Sequence, residues 1–166
     1  FLVWTTTPWT LMANLALCVN PDLTYVKVDS QGYKFIVAES LKEKVVGEEA
    51  EVLETYKGTE LVGTEYEQLL PFVKVEGKAF QVLADNYVTA EDGTGIVHIA
   101  PAYGEDDNRV CRENGITFVN PVGKDGCYTE GPWKGRLVTD KELEIDIIKY
   151  LKSEDKLFKK IKLTHD

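Results

Sequence analysis

The chain has 166 residues, a net charge of −9 and 43% hydrophobic residues, a composition typical of a folded domain with its own core. Its 28 acidic residues against 19 basic ones oppose an autonomous nucleic-acid binder, because phosphate contacts need a positive surface. Cys18, Cys111 and Cys127 form no C-x-x-C pair, so they predict neither a disulfide framework nor a zinc site and indicate a reducing, cytoplasmic location. No apolar run is long enough to span a membrane.

The first part of the chain reads as short strands separated by turns. Residues 1–7 (FLVWTTT) are β-branched and aromatic, which predicts a strand that Pro8 ends. A turn or helical loop over 9–13 follows. Further strands are predicted over 14–20, 24–30 and 33–38. Because the sequence starts inside a predicted strand and stops without a closing element, we expect one domain, 1–166, excised from a larger protein.

The remainder adds helices to this pattern. Ser40 and Glu43 predict a capping box at the start of a short helix over 40–46, and Thr139 and Glu142 predict another for a helix over 139–153. Strands are predicted over 51–56, 72–75, 79–84 and 96–100, a turn at 57–58, a helix over 105–114 and a turn-rich loop over 120–136. Many short strands with few helices predict an α+β fold with a barrel-like sheet and a few peripheral helices.

The segment 93–107 (GTGIVHIAPAYGEDD) combines several signals. Two glycines precede an apolar strand that contains His98, Pro101 ends the strand, and Asp106 and Asp107 follow at a helix start. Polar groups at a strand end are typical of small-molecule sites. The alternatives are that His98 is a paired core histidine and that the two aspartates cap the helix; on pattern alone both are the commoner case.

A second unusual stretch lies near the start of the chain. Its polar residues bring several hydroxyls and an amide into a short segment; they are Thr5, Thr6, Thr7, Thr10 and Asn14. Threonines are also favoured in strands for their β-propensity, so this stretch indicates a site only in combination with another. The sequence contains no nucleophile elbow, zinc-binding H-E-x-x-H helix, phosphate loop or dinucleotide fingerprint.

Taken together, the two stretches resemble the editing domain of the class I aminoacyl-tRNA synthetases for isoleucine, valine and leucine. The matching segments are TTTPWT (5–10), GTGIVH (93–98), AP (100–101), DD (106–107) and the linking pattern G-x-E-L-x-G-x-x-Y (58–66). Within that group the isoleucine type is the most similar, since it has TTTPWT and a histidine at position 98 where the valine type typically has lysine. The sequence of residues 100–111 resembles that of the eukaryotic or archaeal branch.

The resemblance implies hydrolytic proofreading. Isoleucine and valine differ by one methylene, which a hydrophobic pocket distinguishes by only about 1–3 kcal/mol; the isoleucine enzyme is the standard example of this limit. A second site must therefore remove valine from the tRNA for isoleucine, with valyl-adenylate as a further candidate substrate. The implied partners are the acceptor end of that tRNA and the catalytic domain of the parent synthetase, with no membrane. No cofactor or metal is implied in this domain, whereas the parent uses ATP and Mg.

The resemblance also implies roles for individual residues. Asp107 holds the α-ammonium of the misattached amino acid. His98 limits the size of its side chain and is also a candidate to position the attacking water. Thr7 and Thr10 line the pocket and hold backbone or water, and Asn14 supports the same wall. Thr5 and Thr6 contact the terminal adenosine or set the register of the strand. With an ordinary pKa near 6.5, His98 is the one candidate base, although the resemblance points to catalysis by positioning.

Two other functions remain open at this stage. The first is the corresponding domain of the valine type, which would remove threonine; histidine rather than lysine at position 98 opposes it. The second is a non-catalytic β-barrel module that binds tRNA or a partner protein. The acidic balance opposes tRNA binding, and the joint presence of Thr7, Thr10, His98 and Asp107 opposes a purely structural role.

Overall fold

The computed structural model describes residues 3, 8–30, 33–66, 68–89 and 93–154. Its strands are β1 (Ala16–Val19), β2 (Thr24–Ser30), β3 (Tyr33–Ala38), β4 (Glu51–Lys57), β5 (Gln81–Ala84) and β6 (Ile96–Ile99). Its α-helices are α1 (Lys42–Val46), α2 (Gly58–Leu61), α3 (Glu105–Glu113) and α4 (Lys141–Ser153), and 3₁₀ turns cover Pro8–Ala13 and Glu39–Leu41. The predicted strand over 1–7 lies outside the described residues apart from Val3.

The strands form two three-stranded sheets, in the orders β5-β1-β6 and β3-β2-β4. This confirms the predicted α+β class and corrects the barrel: the strands within the described ranges do not close on one another. In the first sheet β1 pairs in parallel with β5 and antiparallel with β6, over only four residues each. Closure would require edge strands to pair further, yet β4 is an edge strand of the second sheet, and all but one of its residues are exposed.

The first sheet is buried on both faces, and this places the site. All four residues of β1 are buried, as expected for a continuously apolar central strand. Leu17 and Val19 belong to a core shared with the second sheet, whereas Ala16 and Cys18 face a core that contains residues of α3. Strand β6 is therefore fixed beside β1, with His98 opposite Leu17.

Several predicted boundaries required correction. The 3₁₀ turn Glu39–Leu41 precedes α1, so Ser40 is not its N-cap. Helix α4 is capped by Asp140, whose carboxylate accepts the Glu142 N–H, and not by Thr139. The charged side chain one residue later reaches the same backbone donor, so the capping-box pattern is misleading there.

Two further segments differ from prediction because tertiary packing decides them. Residues 72–75 form no strand; Phe72 packs edge-on against Trp133 and Tyr150 beside α4. Gly58 starts α2 instead of making a turn. A Cβ atom there would lie 2.0 Å from the Asn20 carbonyl oxygen, so this position requires glycine for close backbone approach. Among the described residues, no helix is both long and apolar enough to cross a membrane.

Candidate functional site

The site begins at the 3₁₀ turn that leads into β1. Pro8 starts this turn, and the Asn14 N–H donates to the Leu11 carbonyl at 3.1 Å as the chain leaves it. Thr10 and Asn14 are among the few buried polar side chains, 7% and 6% exposed. Since buried polar groups need hydrogen-bond partners, both side chains must be paired inside the protein.

Their shared partner is His98. Its Nε2 lies 2.8 Å from Thr10 Oγ1, and its Nδ1 lies 3.2 Å from Asn14 Nδ2. The structure therefore brings His98 into contact with Asn14 and Thr10, which lie 84 and 88 positions before it in the sequence. Burial lowers the pKa of His98 to about 4, so the imidazole is neutral at physiological pH and a weak base.

Tyr66 completes this group, and sequence reasoning gave it no role. Its hydroxyl donates to Asn14 Oδ1 at 2.6 Å, and burial raises its pKa, so it remains a protonated donor. The Tyr66 backbone N–H donates to the Phe80 carbonyl at 3.0 Å, and the two rings meet edge to face at 5.9 Å. The only signal in the sequence was its position at the end of the linking pattern 58–66.

Asp107 lies at the other side of the end of β6, in the first turn of α3. Its Oδ2 accepts the backbone N–H of Ala100, two residues beyond His98, at 3.1 Å. A Cβ atom on Gly104 would lie 3.0 Å from Asp107 Cγ, so the glycine leaves room for the carboxylate to fold back toward the strand. Burial raises the pKa of Asp107, and the Ala100 N–H acts in the opposite direction.

An ion pair fixes the helix that carries Asp107. The Arg109 guanidinium donates to both oxygens of Asp85, at 3.0 and 3.1 Å, and these bonds lower the pKa of Asp85. Asp85 follows β5, and its backbone N–H donates to the Val19 carbonyl at 3.0 Å. The middle of α3 is thereby tied to the ends of β1 and β5.

The remaining candidate residues divide into two groups. Thr5, Thr6 and Thr7 lie outside the described residues, so their predicted roles stay predictions. Two of the three cysteines are unsuited to act as nucleophiles: Cys18 and Cys111 are buried, and burial raises the pKa of each thiol to about 12, which keeps it protonated. Within the ranges that the structure covers, no cluster of three histidine, cysteine or carboxylate side chains could hold a metal ion.

Comparison with known sequences yields one consistent set of relatives. No protein-family profile matches the chain. It is 45% identical to isoleucine--tRNA ligase of Clostridium tetani over 166 residues and 45% identical to that of Picrophilus torridus over 167 residues, covering 99% and 100% of this chain. The corresponding ligase of Bacillus thuringiensis (strain Al Hakam) is 47% identical. The chain spans 16% of the length of each of these relatives. Identities this similar do not decide the predicted eukaryotic or archaeal branch.

Solved structures with the same fold come from leucyl-tRNA synthetases. The GlLeuRS-CP1 structure matches with a TM-score of 0.72 and 15% identity, covering 99% of this chain and 83% of that one. The editing domain of the cytosolic leucyl-tRNA synthetase of P. knowlesi matches with a TM-score of 0.69 and 14% identity, covering 94% and 82%. At these identities the likeness shows a shared fold.

Proposed function

The chain belongs, as one segment, to the isoleucine--tRNA ligase family, and we propose that this segment hydrolyses valine from the tRNA that should carry isoleucine. Its fold is that of synthetase editing domains, which supports a proofreading role. The observation that carries the proposal is that the end of β6 holds two different groups. His98 is neutral and bonded at both ring nitrogens, and two residues later the Ala100 N–H binds the half-buried carboxylate of Asp107. Each suits a different part of an aminoacyl group.

Asp107 is the anchor for the amino acid. Its carboxylate lies in a partly desolvated position, where burial raises its pKa. An ammonium group placed there would donate a charge-assisted hydrogen bond to the carboxylate and so replace much of the solvation that the carboxylate lost on burial. The α-ammonium is common to all amino acids, so this contact orients the substrate without selecting among side chains.

His98 limits the size of the side chain. Its ring is held at both nitrogens, by Thr10 and by Asn14, and therefore cannot swing away to admit a larger group without breaking hydrogen bonds. Its lowered pKa keeps it uncharged, which suits contact with an aliphatic side chain. A rigid wall at this position would admit valine and exclude isoleucine by its additional methylene.

Hydrolysis at this site proceeds by positioning. A water molecule attacks the ester carbonyl carbon, the bond from that carbon to the ribose oxygen breaks, and the proton of the water ends on that oxygen. The products are free valine and an uncharged tRNA. Because His98 is a weak base at neutral pH, we assign the work to substrate orientation by Asp107 and to water held by the threonines, including Thr7 and Thr10, with a ribose hydroxyl of the substrate.

The partners in this proposal follow from the substrate. The acceptor end of the tRNA delivers the valyl ester, valyl-adenylate is a second substrate, and the catalytic domain of the parent synthetase supplies both. Net charge of −9 gives the segment little attraction of its own for phosphate, so the parent would provide most of the tRNA affinity.

A segment exchange tests the function. The chain replaces the matching segment of a full-length isoleucine--tRNA ligase, and release of labelled valine from valyl-tRNA is compared with release of isoleucine from isoleucyl-tRNA and of threonine from threonyl-tRNA. We expect valine to be released fastest, and a ligase that lacks the segment to release none. Preferred release of threonine would indicate the valine-type specificity. If no amino acid is released, the segment is a non-catalytic module and the proposed function is wrong.

A further inference from the structure

We propose that Tyr66 is a positioning residue that acts through Asn14 to hold His98 as the tautomer with its proton on Nε2. Tyr66 OH, the Asn14 amide, the His98 ring and Thr10 Oγ1 form one continuous chain of hydrogen bonds. The tautomer follows from this geometry alone, and its catalytic consequence rests on the function proposed above.

The first step fixes the Asn14 amide. Its Nδ2 lies 3.0 Å from the Ala16 carbonyl oxygen, which can only accept, so the atom facing Ala16 must be the amide nitrogen. Its Oδ1 then faces the Tyr66 hydroxyl at 2.6 Å and accepts the phenolic proton. The Ala16 carbonyl thus selects this orientation, and the Tyr66 hydroxyl stabilises it by donating to the amide oxygen.

The second step carries that orientation to His98. Asn14 Nδ2 bears only hydrogens, so His98 Nδ1 must accept at 3.2 Å. A neutral imidazole has one N–H, which places the proton on Nε2, where it donates to Thr10 Oγ1 at 2.8 Å. Burial lowers the pKa of His98, in agreement with a ring that bears a single proton.

This assignment determines what His98 can do. Its basic nitrogen, Nδ1, is directed at Asn14 and is unavailable to take a proton from water. Its N–H is directed at Thr10, so the Thr10 hydroxyl accepts on that side and its own hydrogen points away from the ring. His98 therefore orients the Thr10 hydroxyl, and the proton transferred in hydrolysis does not pass through the ring.

A purely structural role for Tyr66 makes a different prediction. The ring packs against Phe80, and Tyr66→Phe retains that packing while removing only the hydroxyl. Without the phenolic donor, only the Ala16 carbonyl still selects the amide nitrogen, so the orientation that offers Asn14 Oδ1 to His98 becomes less unfavourable. The second tautomer of the ring should then be more populated than in the wild type.

Nitrogen-15 NMR of the 166-residue chain at neutral pH measures this directly. The sequence has two histidines, so a His165→Gln background leaves only the resonances of His98. We expect a pyridine-type shift for Nδ1 and a pyrrole-type shift for Nε2. In Tyr66→Phe both shifts should move toward each other, and hydrolysis of valyl-tRNA should fall roughly fivefold in kcat with KM unchanged, the loss typical of one neutral hydrogen bond.

Two further variants control the experiment. Tyr128→Phe removes another buried hydroxyl bond, from Tyr128 OH to the Trp9 carbonyl at 2.6 Å, and should leave the shifts of His98 unchanged. Asn14→Asp replaces the donor by an acceptor, so Nδ1 should become the protonated nitrogen. If Tyr66→Phe does not fold, a proton that stays on Nε2 in Asn14→Asp would overturn the proposal, because Tyr66 can act on His98 only through Asn14.

The outcomes separate the two proposals. A pyrrole-type Nδ1 in the wild-type chain, or unchanged shifts in Tyr66→Phe, would overturn the positioning role of Tyr66. An equal change in Tyr128→Phe would overturn it as well, because the effect would then follow from lost stability. If the shifts respond as expected while the full-length ligase that carries this segment does not hydrolyse valyl-tRNA, the tautomer assignment stands and the editing function fails.

Discussion

The two sides of the end of β6 are built on opposite electrostatic principles. On one side, His98 is neutral and bonded at both ring nitrogens to Thr10 and Asn14. On the other, Asp107 carries a carboxylate into a half-buried position, with the Ala100 N–H as its partner. The first side suits contact with an uncharged side chain and the second suits an ammonium group. This difference is what the proposed function requires of a site that binds the two ends of one amino acid.

Asp107 and His98 each reduce the stability of the fold, in different pH ranges. Burial raises the pKa of Asp107, so its ionised form is less favourable in the folded than in the unfolded chain. That cost is present above the folded pKa and disappears as pH falls below the unfolded one. Burial lowers the pKa of His98, so its cost appears at acidic pH instead. Groups held at such a cost are typical of functional sites.

The largest expected effect is that of Asp107→Asn. The amide still accepts the Ala100 N–H but no longer attracts an ammonium, so hydrolysis of valyl-tRNA should fall roughly 100-fold or more, the range for losing one partner of a desolvated charge pair. The same variant should unfold at higher denaturant concentration at pH 7, since the desolvation cost is removed. Asp106→Asn, at the neighbouring exposed position, is the matched control and should retain activity; equal losses in both variants would contradict the anchoring role.

A smaller effect is expected from His98→Ala. Removing the imidazole should leave room for one more methylene, so the preference for valyl- over isoleucyl-tRNA should fall by roughly 10-fold or more, within the 1–3 kcal/mol that a methylene provides. The two deacylation rates are measured on the same preparation. A preference that survives this change would place the size limit on another residue.

The smallest effect concerns stability against pH. With a folded pKa of about 4 and an unfolded one near 6.5, the unfolded chain binds more protons between these values. The free energy of unfolding should therefore not be reduced by His98 above pH 6.5, and should be reduced progressively as pH decreases toward 4. Denaturant unfolding of the wild type and of His98→Gln is compared at pH 7 and pH 4.5. Between these pH values the free energy of unfolding of the wild type should fall by roughly 1 to 2 kcal/mol more than that of the variant, allowing for partial exposure of the ring. Equal pH dependence in both chains would contradict the buried, neutral histidine.

Local patterns in the sequence predicted the parts of the site better than their assembly. Strand β6, the start of α3 and the positions of His98 and Asp107 followed from apolar runs, a proline and an acidic helix start. The contact of His98 with Thr10 could not follow from such patterns, because 88 residues separate them. Only the resemblance to a known family placed the two segments together before the structure did.

Tyr66 and the missing barrel illustrate what local patterns cannot contain. Tyr66 reaches Asn14 across 52 residues, and a tyrosine after a short helix gives no signal of that partner. The number of short strands suggested a closed sheet, but closure depends on strand pairing at the edges. The four-residue pairings of β1 and the exposed β4 are properties of the assembled chain.

The most direct test of the two-sided site is equilibrium binding of two non-hydrolysable adenylate analogues, one valyl and one isoleucyl, to the wild-type chain. Both analogues offer the same ammonium to Asp107, so any difference in affinity must come from the side-chain wall at His98. We predict that the valyl analogue binds and that the isoleucyl analogue binds at least about 10-fold more weakly. Equal affinity for the two analogues would contradict the account.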